Sequence, residues 1–426
     1  MPLKAEPGDH AAMGRLQDAV RNTWSRRILM VLLVGMILSL LIDPGDKIFY
    51  LKMPLFATLM LFWVLRLFAF GVVGRLNEVI AILVIGVIIP GLWVLLSLCT
   101  KPSPKIEELL AYPKAFLFLP LLLLVRNEKF ALVDLTAKLS SVVAVLTIIA
   151  VMVSRLNPAA FAAVLLFSIS HGIGMISENR DQFGIGVGQF YYATSSLMLF
   201  GIAYYMQHAI SAGRRRRDFL MIGLFAVSLV FSGSRGNVLA AVFIGATLVL
   251  VRMRKKIGMI GAVLLTGVIL LPAAGILSAG FFSPSETSNH VKLGHYQSYM
   301  EEFSAHPEYL LFGQGEGTRF YSRGFQDFTF VTELSYLELI RQFGIPLTAL
   351  LVTFLLSPLL LLIRHQSFEA QGGYVTVGYA AYLLVSATNP LLVSSTGMLV
   401  VVMVWARALE VSDFAPHMAA AKLKSA

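Results

Sequence analysis

Residues 334–363 read Leu-Ser-Tyr-Leu-Glu-Leu-Ile-Arg-Gln-Phe-Gly-Ile-Pro-Leu-Thr-Ala-Leu-Leu-Val-Thr-Phe-Leu-Leu-Ser-Pro-Leu-Leu-Leu-Leu-Ile. From Ile345 to Ile363 no side chain is charged. About 20 such residues cross a bilayer as a helix, so this stretch predicts a transmembrane span. Similar runs recur at roughly 27–43, 50–70, 77–99, 112–125, 132–153, 187–207, 218–232, 237–251, 257–279, 373–389 and 393–409. Twelve spans would use about 240 residues, which a 426-residue chain that is 57% hydrophobic can supply. Only 14% of residues are charged, against about 25% in a soluble domain. That composition excludes a disordered chain and argues against a soluble enzyme. A membrane β-barrel would show alternating segments of about 10 residues. The expected fold is an all-α polytopic integral membrane protein, with residues 1–426 as a single membrane domain.

Charge orients the chain. The net charge is +10 (34 − 24). In a soluble protein it would point to nucleic acid; here the clusters lie between spans and point to topology and the lipid bilayer. Arg21, Arg26 and Arg27 precede the first span, and Arg214–Arg217 and Arg252, Arg254, Lys255, Lys256 separate later ones. The positive-inside rule places all three clusters in the cytoplasm. That parity holds only if the apolar stretch 158–172 does not cross. Pro158 at its start and Gly172 and Gly174 at its end fit a re-entrant half-helix or one lying along the outer face. Both termini are then cytoplasmic, with 1–26 a polar leading segment, showing no cleavable signal peptide, and 412–426 a tail expected to be mobile from Ala415. Three outer segments follow: 154–186, the turn Ser232-Gly-Ser-Arg-Gly-Asn237, and a loop over 280–333. A loop beyond about 12–15 residues is usually functional or disordered, and the aromatics and glycines of this one predict order. The single cysteine, Cys99, allows no disulfide within the chain. No internal repeat is evident.

Several residues could carry chemistry. Arg235 sits in the tight turn, where a guanidinium either anchors phosphate or snorkels to the interface. In the long loop, His295 follows Lys292 by three residues and shares its helical face. Gly313-Gln314-Gly315-Glu316-Gly317 and Gly184-x-Gly-x-Gly188 follow no βαβ pattern, so a dinucleotide fold is rejected in favour of tight turns. Thr332-Glu333-Leu-Ser-Tyr336-Leu-Glu338 opens the long helix, with Thr332 as expected N-cap. Arg341 lies about 12–13 Å into that helix, a depth that demands a protein, water or ligand partner. Glu338, three residues earlier, makes either a structural pair with it or part of a site; Glu333 at the mouth is better placed for chemistry. No Asp-x-Asp or His-rich signature supports a metal, and no cofactor is expected. Arg180, Arg235, Lys292, Arg319 and Arg323 suit a lipid diphosphate as ligand or leaving group.

Taken together, Ser234-Arg235-Gly236 between two spans, Lys292-Leu-Gly-His295-Tyr, Leu311-Phe-Gly-Gln-Gly-Glu-Gly317, Thr332-Glu333-Leu-Ser-Tyr336-Leu and Arg341-Gln-Phe-Gly344 resemble the O-antigen polymerase and ligase superfamily of bacterial inner-membrane glycosyltransferases. The resemblance implies about twelve transmembrane helices of GT-C-like type with one large periplasmic loop, and metal-independent transfer of undecaprenyl-diphosphate-linked glycan. It implies Arg235 as a diphosphate-binding or catalytic residue, with Lys292 as a second diphosphate ligand; Arg180 and Arg323 are further candidates for that role. Lys292 stands where the ligases carry a second arginine. Glu333 stands where they carry a histidine, which favours the polymerase branch and makes Glu333 the expected base, with His295 in reserve. Tyr336, Glu338, Arg341 and Gln314 are further candidates. The expected activity is polymerisation of oligosaccharide repeat units into O-antigen or exopolysaccharide, with a chain-length regulator as implied partner. Ligation to lipid A core or another acceptor is one alternative, and transport of a lipid-linked glycan the other.

Overall fold

The computed structural model describes residues 7–70, 76–100, 105–177, 189–211, 215–253, 258, 287–365 and 372–425. These residues are mostly helical, and two short antiparallel ribbons qualify the all-α expectation: Gly174–Ser177 pairs with Gln189–Tyr192, and Phe320–Ser322 with Asp327–Thr329. Among the described residues, seven helices are long and apolar enough to cross a membrane: Thr23–Ile42, Lys52–Ala69, Asn77–Leu95, Leu132–Ser154, Arg235–Met253, Ser335–His365 and Ser395–Asp413. Their outward faces carry exposed apolar residues such as Val31, Phe68 and Leu360. Buried polar residues such as Arg66, Thr136 and Arg341 lie inside. A soluble domain hides its large apolar side chains instead.

Four other expected spans form shorter helices. Residues 112–125 split into Ala111–Phe116 and Leu121–Glu128, with turns and Pro120 between. The start of 187–207 is a strand, and only Met198–Ser211 is α-helical, 14 residues long. At 1.5 Å per residue that is about 21 Å, short of a bilayer core. Met198–Ala203 is buried all round, so this is a central helix. Arg216–Phe231 and Gly373–Ser386 complete the set. The expected span at 257–279 and the loop start at 280–286 fall outside the described residues.

Local chemistry sets the element ends. In the stretch predicted not to cross, Pro158–His171 is a 14-residue helix. The Asn157 side chain accepts from the Ala159 and Ala160 amides, and Gly172 closes it at φ 67°. The helix Pro7–Ile42 begins inside the segment expected to be a polar leader, and Ser395–Ser425 continues through the expected tail. One apolar core runs from Leu29 to Ala408.

The long loop is described from residue 287 onward. Helix Thr287–Ala305, the turn Tyr309–Phe312 and the second ribbon form a cap with its own small core of Tyr299, Phe303 and Phe320. The cap is tied into the membrane helix below it. That helix breaks at Gly344, where φ is 73° and ψ 168°. Pro346 follows and cannot donate, so carbonyls near the break lose helical partners. The loop supplies donors: Gln314 N bonds Arg341 O at 2.5 Å and Gly315 N bonds Gln342 O at 3.1 Å. Gly313 must be glycine here, because it has φ 74° and a Cβ would strike the Gln342 carbonyl. The Gly-x-Gly-x-Gly at 313–317 thus acts as a tight turn that lets backbone reach backbone.

Candidate functional site

The segment Thr332–Arg341 contributes to two charge clusters of opposite character. The deeper one is sealed. Arg341 is 0% exposed and Glu338 1%. The guanidinium donates to Glu338 at 2.5 Å, to the Thr318 carbonyl at 3.1 Å, to the Phe330 carbonyl at 3.0 Å and to the Gln314 side chain. It also lies 4.4 Å over the Phe320 ring. Glu338 accepts further from Gln342 at 2.5 Å and from Tyr299. Gln314 donates onward to Glu302 at 3.0 Å. This knot clamps the cap to the broken helix. Glu338, Arg341 and Gln314 are therefore placed as structural groups. Tyr336 points into the bundle and donates to the Leu383 carbonyl at 3.3 Å.

The shallower cluster is open. Lys292 Nζ lies 3.9 Å from Glu333 Oε2, and both side chains are about one-third exposed. The cap helix and the linker into the long helix bring them together. The Thr332 hydroxyl accepts from the Leu334 amide at 3.2 Å and fixes that linker. Tyr191, on the ribbon strand Gln189–Tyr192, interacts electrostatically with Glu333, and burial pushes its phenol up to about 12.

The Arg235 turn lies at the same end of the bundle. Gly233 turns the chain at φ 63°, packed on the Gln189 side chain. Ser234 caps the next helix, its hydroxyl accepting from the Asn237 amide at 3.3 Å, so Arg235 becomes that helix's first residue. Asn237 Nδ2 donates to Ser195 Oγ at 3.0 Å. A Cβ on Gly236 would sit 4.0 Å from Asn389, whose carbonyl accepts from Ser335 Oγ at 2.6 Å. Four segments thus converge: 189–197, 232–237, the Lys292–Glu333 pair and 385–389.

His295 is in the cap interior rather than at this opening. It is fully buried, bonded to Ser322 Oγ at 2.6 Å, with Phe325 edge-on at 4.4 Å. Gly324 presses on its ring because a Cβ there would collide with it. Burial pushes its pKa below the ordinary value, so the ring is neutral at pH 7. Arg323 pairs on the surface with Glu301 at 2.5 Å, both more than half exposed. Arg319 grips Glu108 and holds that carboxyl below its ordinary value. Arg180 and the Gly184–Gly188 motif lie outside the described residues.

Sequence reading passed over Tyr191, Ser195 and Asn389, and quoted Asn237 without giving it a role. Hydroxyl and amide side chains carry no spacing signature, and their roles emerge only from tertiary contact. Among the described residues no group of three or more His, Cys, Asp or Glu could hold a metal ion. Comparison with protein-family models, with curated proteins and with solved structures found no match.

Proposed function

We propose that this chain is a bacterial inner-membrane glycosyltransferase that polymerises undecaprenyl-diphosphate-linked repeat units on the periplasmic side. The observation that carries the reading is the approach of Lys292 to Glu333, 3.9 Å apart and open to solvent, at the bundle end that also holds the Arg235 turn. The resemblance in motif order points to the same residues. Sidedness is supported by charge. Arg26, Arg126, Lys129, Arg216 and Arg407 belong to the opposite helix ends, where the positive-inside rule would put the cytoplasm.

In this reading the bond between donor C1 and the diphosphate oxygen breaks. The acceptor hydroxyl oxygen forms the new bond to C1, and its proton passes to the Glu333 carboxylate. Undecaprenyl diphosphate departs with its negative charge met by Arg235 and Lys292. General-base help is worth about 10²–10⁴-fold. His295, buried and neutral, would support the cap instead of taking the proton.

A second reading, transport, has one feature in its favour: a membrane helix broken at Gly344, as transporters often have. The break is filled by loop backbone and the buried Arg341 knot, which leaves little room for a substrate. The test is the purified chain in vesicles, supplied with lipid-linked single repeat units. Longer lipid-linked chains, lost in Arg235→Ala, support polymerisation. Transfer only to a non-carrier acceptor means ligation, and flux without bond formation means transport.

A further inference from the structure

We propose that a cavity at the basic end of the bundle binds the headgroup of a phospholipid that carries both a phosphate and a primary ammonium. This site is separate from the Glu333 opening and does not depend on the glycosyltransferase reading.

The cavity has a volume of about 510 Å³, within the range of about 300–1,000 Å³ that holds a small molecule. Tyr374 lines it, while the far end of the same helix, about 16 Å away at about 1.5 Å per residue, belongs to the Glu333 opening. The walls hold equal numbers of opposite charges: Arg126, Lys129 and Arg407 against Asp134, Glu410 and Asp413. A purely anionic or purely cationic ligand would meet like charge there, whereas a zwitterion meets both signs. Four of the six are already joined. Arg126 is held by Asp413 at 2.8 Å and by Glu78, and Arg407 by Glu410 at 2.7 Å. Lys129 and Asp134 form no ion pair among the described residues. Buried charge is normally matched, yet half-buried Asp134 has only the Tyr374 hydroxyl, which donates to its Oδ1. Lys138, one turn on, sits over the Tyr204 ring at 5.3 Å instead.

Ring packing sets a second acceptor near Asp134. Tyr374 lies edge-on to Tyr204 at 5.3 Å, and His208, also on the cavity wall, lies against Tyr204 at 4.1 Å. His208 Nδ1 donates to the Tyr204 carbonyl at 2.9 Å, so in the neutral ring Nε2 is the acceptor. Asp134 Oδ2 and His208 Nε2 therefore suit a primary ammonium, which has hydrogens to give. The phosphate falls to Lys129, exposed at the mouth. It is helped by two helices, Leu132–Leu156 and Gly373–Ser386, which begin at the cavity wall without a side-chain cap. Orphan amides at such ends attract phosphate. The height fits as well, because these helix ends carry the basic residues that the positive-inside rule would put at the cytoplasmic headgroups.

The experiment titrates the purified full chain in detergent with phosphatidylethanolamine, phosphatidylcholine, phosphatidylglycerol or inorganic phosphate, and reads binding by native mass spectrometry. Phosphatidylethanolamine should bind about tenfold or more tighter than phosphatidylcholine, whose ammonium has no N–H, and than phosphatidylglycerol, which has no ammonium. Lys129→Ala should weaken it about tenfold or more. Asp134→Asn, which keeps an oxygen for Tyr374, should abolish the preference over phosphatidylglycerol. Equal binding of the three lipids, or a preference that neither variant changes, would overturn the proposal. Inorganic phosphate that binds as tightly as the lipid would reduce the cavity to a phosphate site and overturn it too. Should Asp134→Asn not fold, Lys129→Ala at the exposed mouth and the lipid comparison still decide the question. Glycan transfer is not the readout, so the two readings fail separately.

Discussion

Two ion pairs meet near the head of one helix, their carboxylates at Glu333 and Glu338, and they are built for different tasks. Arg341 and Glu338 are removed from water and surrounded by partners. Lys292 and Glu333 stand 3.9 Å apart and one-third exposed. A buried charge must be matched almost completely, since desolvation costs several kcal/mol per ion. At 0% and 1% exposure the Arg341–Glu338 pair presents no surface to a ligand, even though Arg341 Nε lacks a partner. A loosely paired, wetted couple gains little from its own attraction and can exchange that partner for a substrate. Charge count alone would not separate them; the degree of burial does.

The largest effect should come from breaking the sealed pair. Arg341→Met leaves Glu338 buried without its cation, at a cost of about 3–5 kcal/mol. The expected outcome is loss of folded protein in detergent, read as a collapse of the size-exclusion peak and thermal midpoint. A well-folded Arg341→Met protein that had lost only activity would move Arg341 from scaffold to site. Next is Glu333→Gln, where the fold should hold, with a thermal midpoint near wild type, while the proposed glycan transfer should fall by about 10²–10⁴-fold. A matching drop in both quantities would erase the distinction between the two pairs.

How far the sequence foretold this contrast depends on the range of the interaction. The apolar run from Ile345 announces its helix through local composition, and the short helix at Pro158–His171 announces itself through its proline and glycine ends. Glu338 and Arg341 are three apart on one helix, so their pairing was legible. Their seal was not, because Gln314, Thr318 and Phe330 arrive from the cap. The break at Gly344 had a local signal in Phe-Gly-Ile-Pro, yet hydropathy reads straight through it. Phe190-Tyr191-Tyr192 reads as the start of a span, and tertiary pairing with Gly174–Ser177 makes it a ribbon instead. Short interior helices such as Met198–Ser211 look like spans because burial in protein and burial in lipid select the same side chains.

Glu316 is a third kind of carboxylate, and it extends the comparison to pH. It is 1% exposed, with one oxygen accepting from the Tyr112 amide at 3.3 Å and the other unpartnered. Burial raises its pKa from 4.5 to about 8. The folded state therefore keeps a proton that the unfolded chain has already lost. Stability from this group is intact below about pH 4.5 and declines as pH rises toward 8, by up to about 1.4 kcal/mol per unit. Glu316→Gln removes that slope. Thermal midpoints of variant and wild type should nearly coincide at pH 5 and separate by pH 8, with the variant higher. A gap independent of pH would mean that the carboxyl is ionised and solvated.

Arg323 carries the smallest expected effect and the sharpest limit on the site. It was a reasonable diphosphate ligand by its place in the loop, next to the glycine that packs on His295. Its guanidinium instead faces Glu301 on the open surface, with both side chains more than half exposed. Such pairs contribute about 0–1 kcal/mol, and salt screens them further. Arg323→Ala should leave the thermal midpoint and the polymer length distribution near wild type, whereas Lys292→Ala should shorten the polymer without unfolding the protein. If Arg323→Ala also shortened it, the cationic surface would extend from the Lys292–Glu333 opening across the cap. The site would then be a broad track for an anionic substrate instead of a focused cradle.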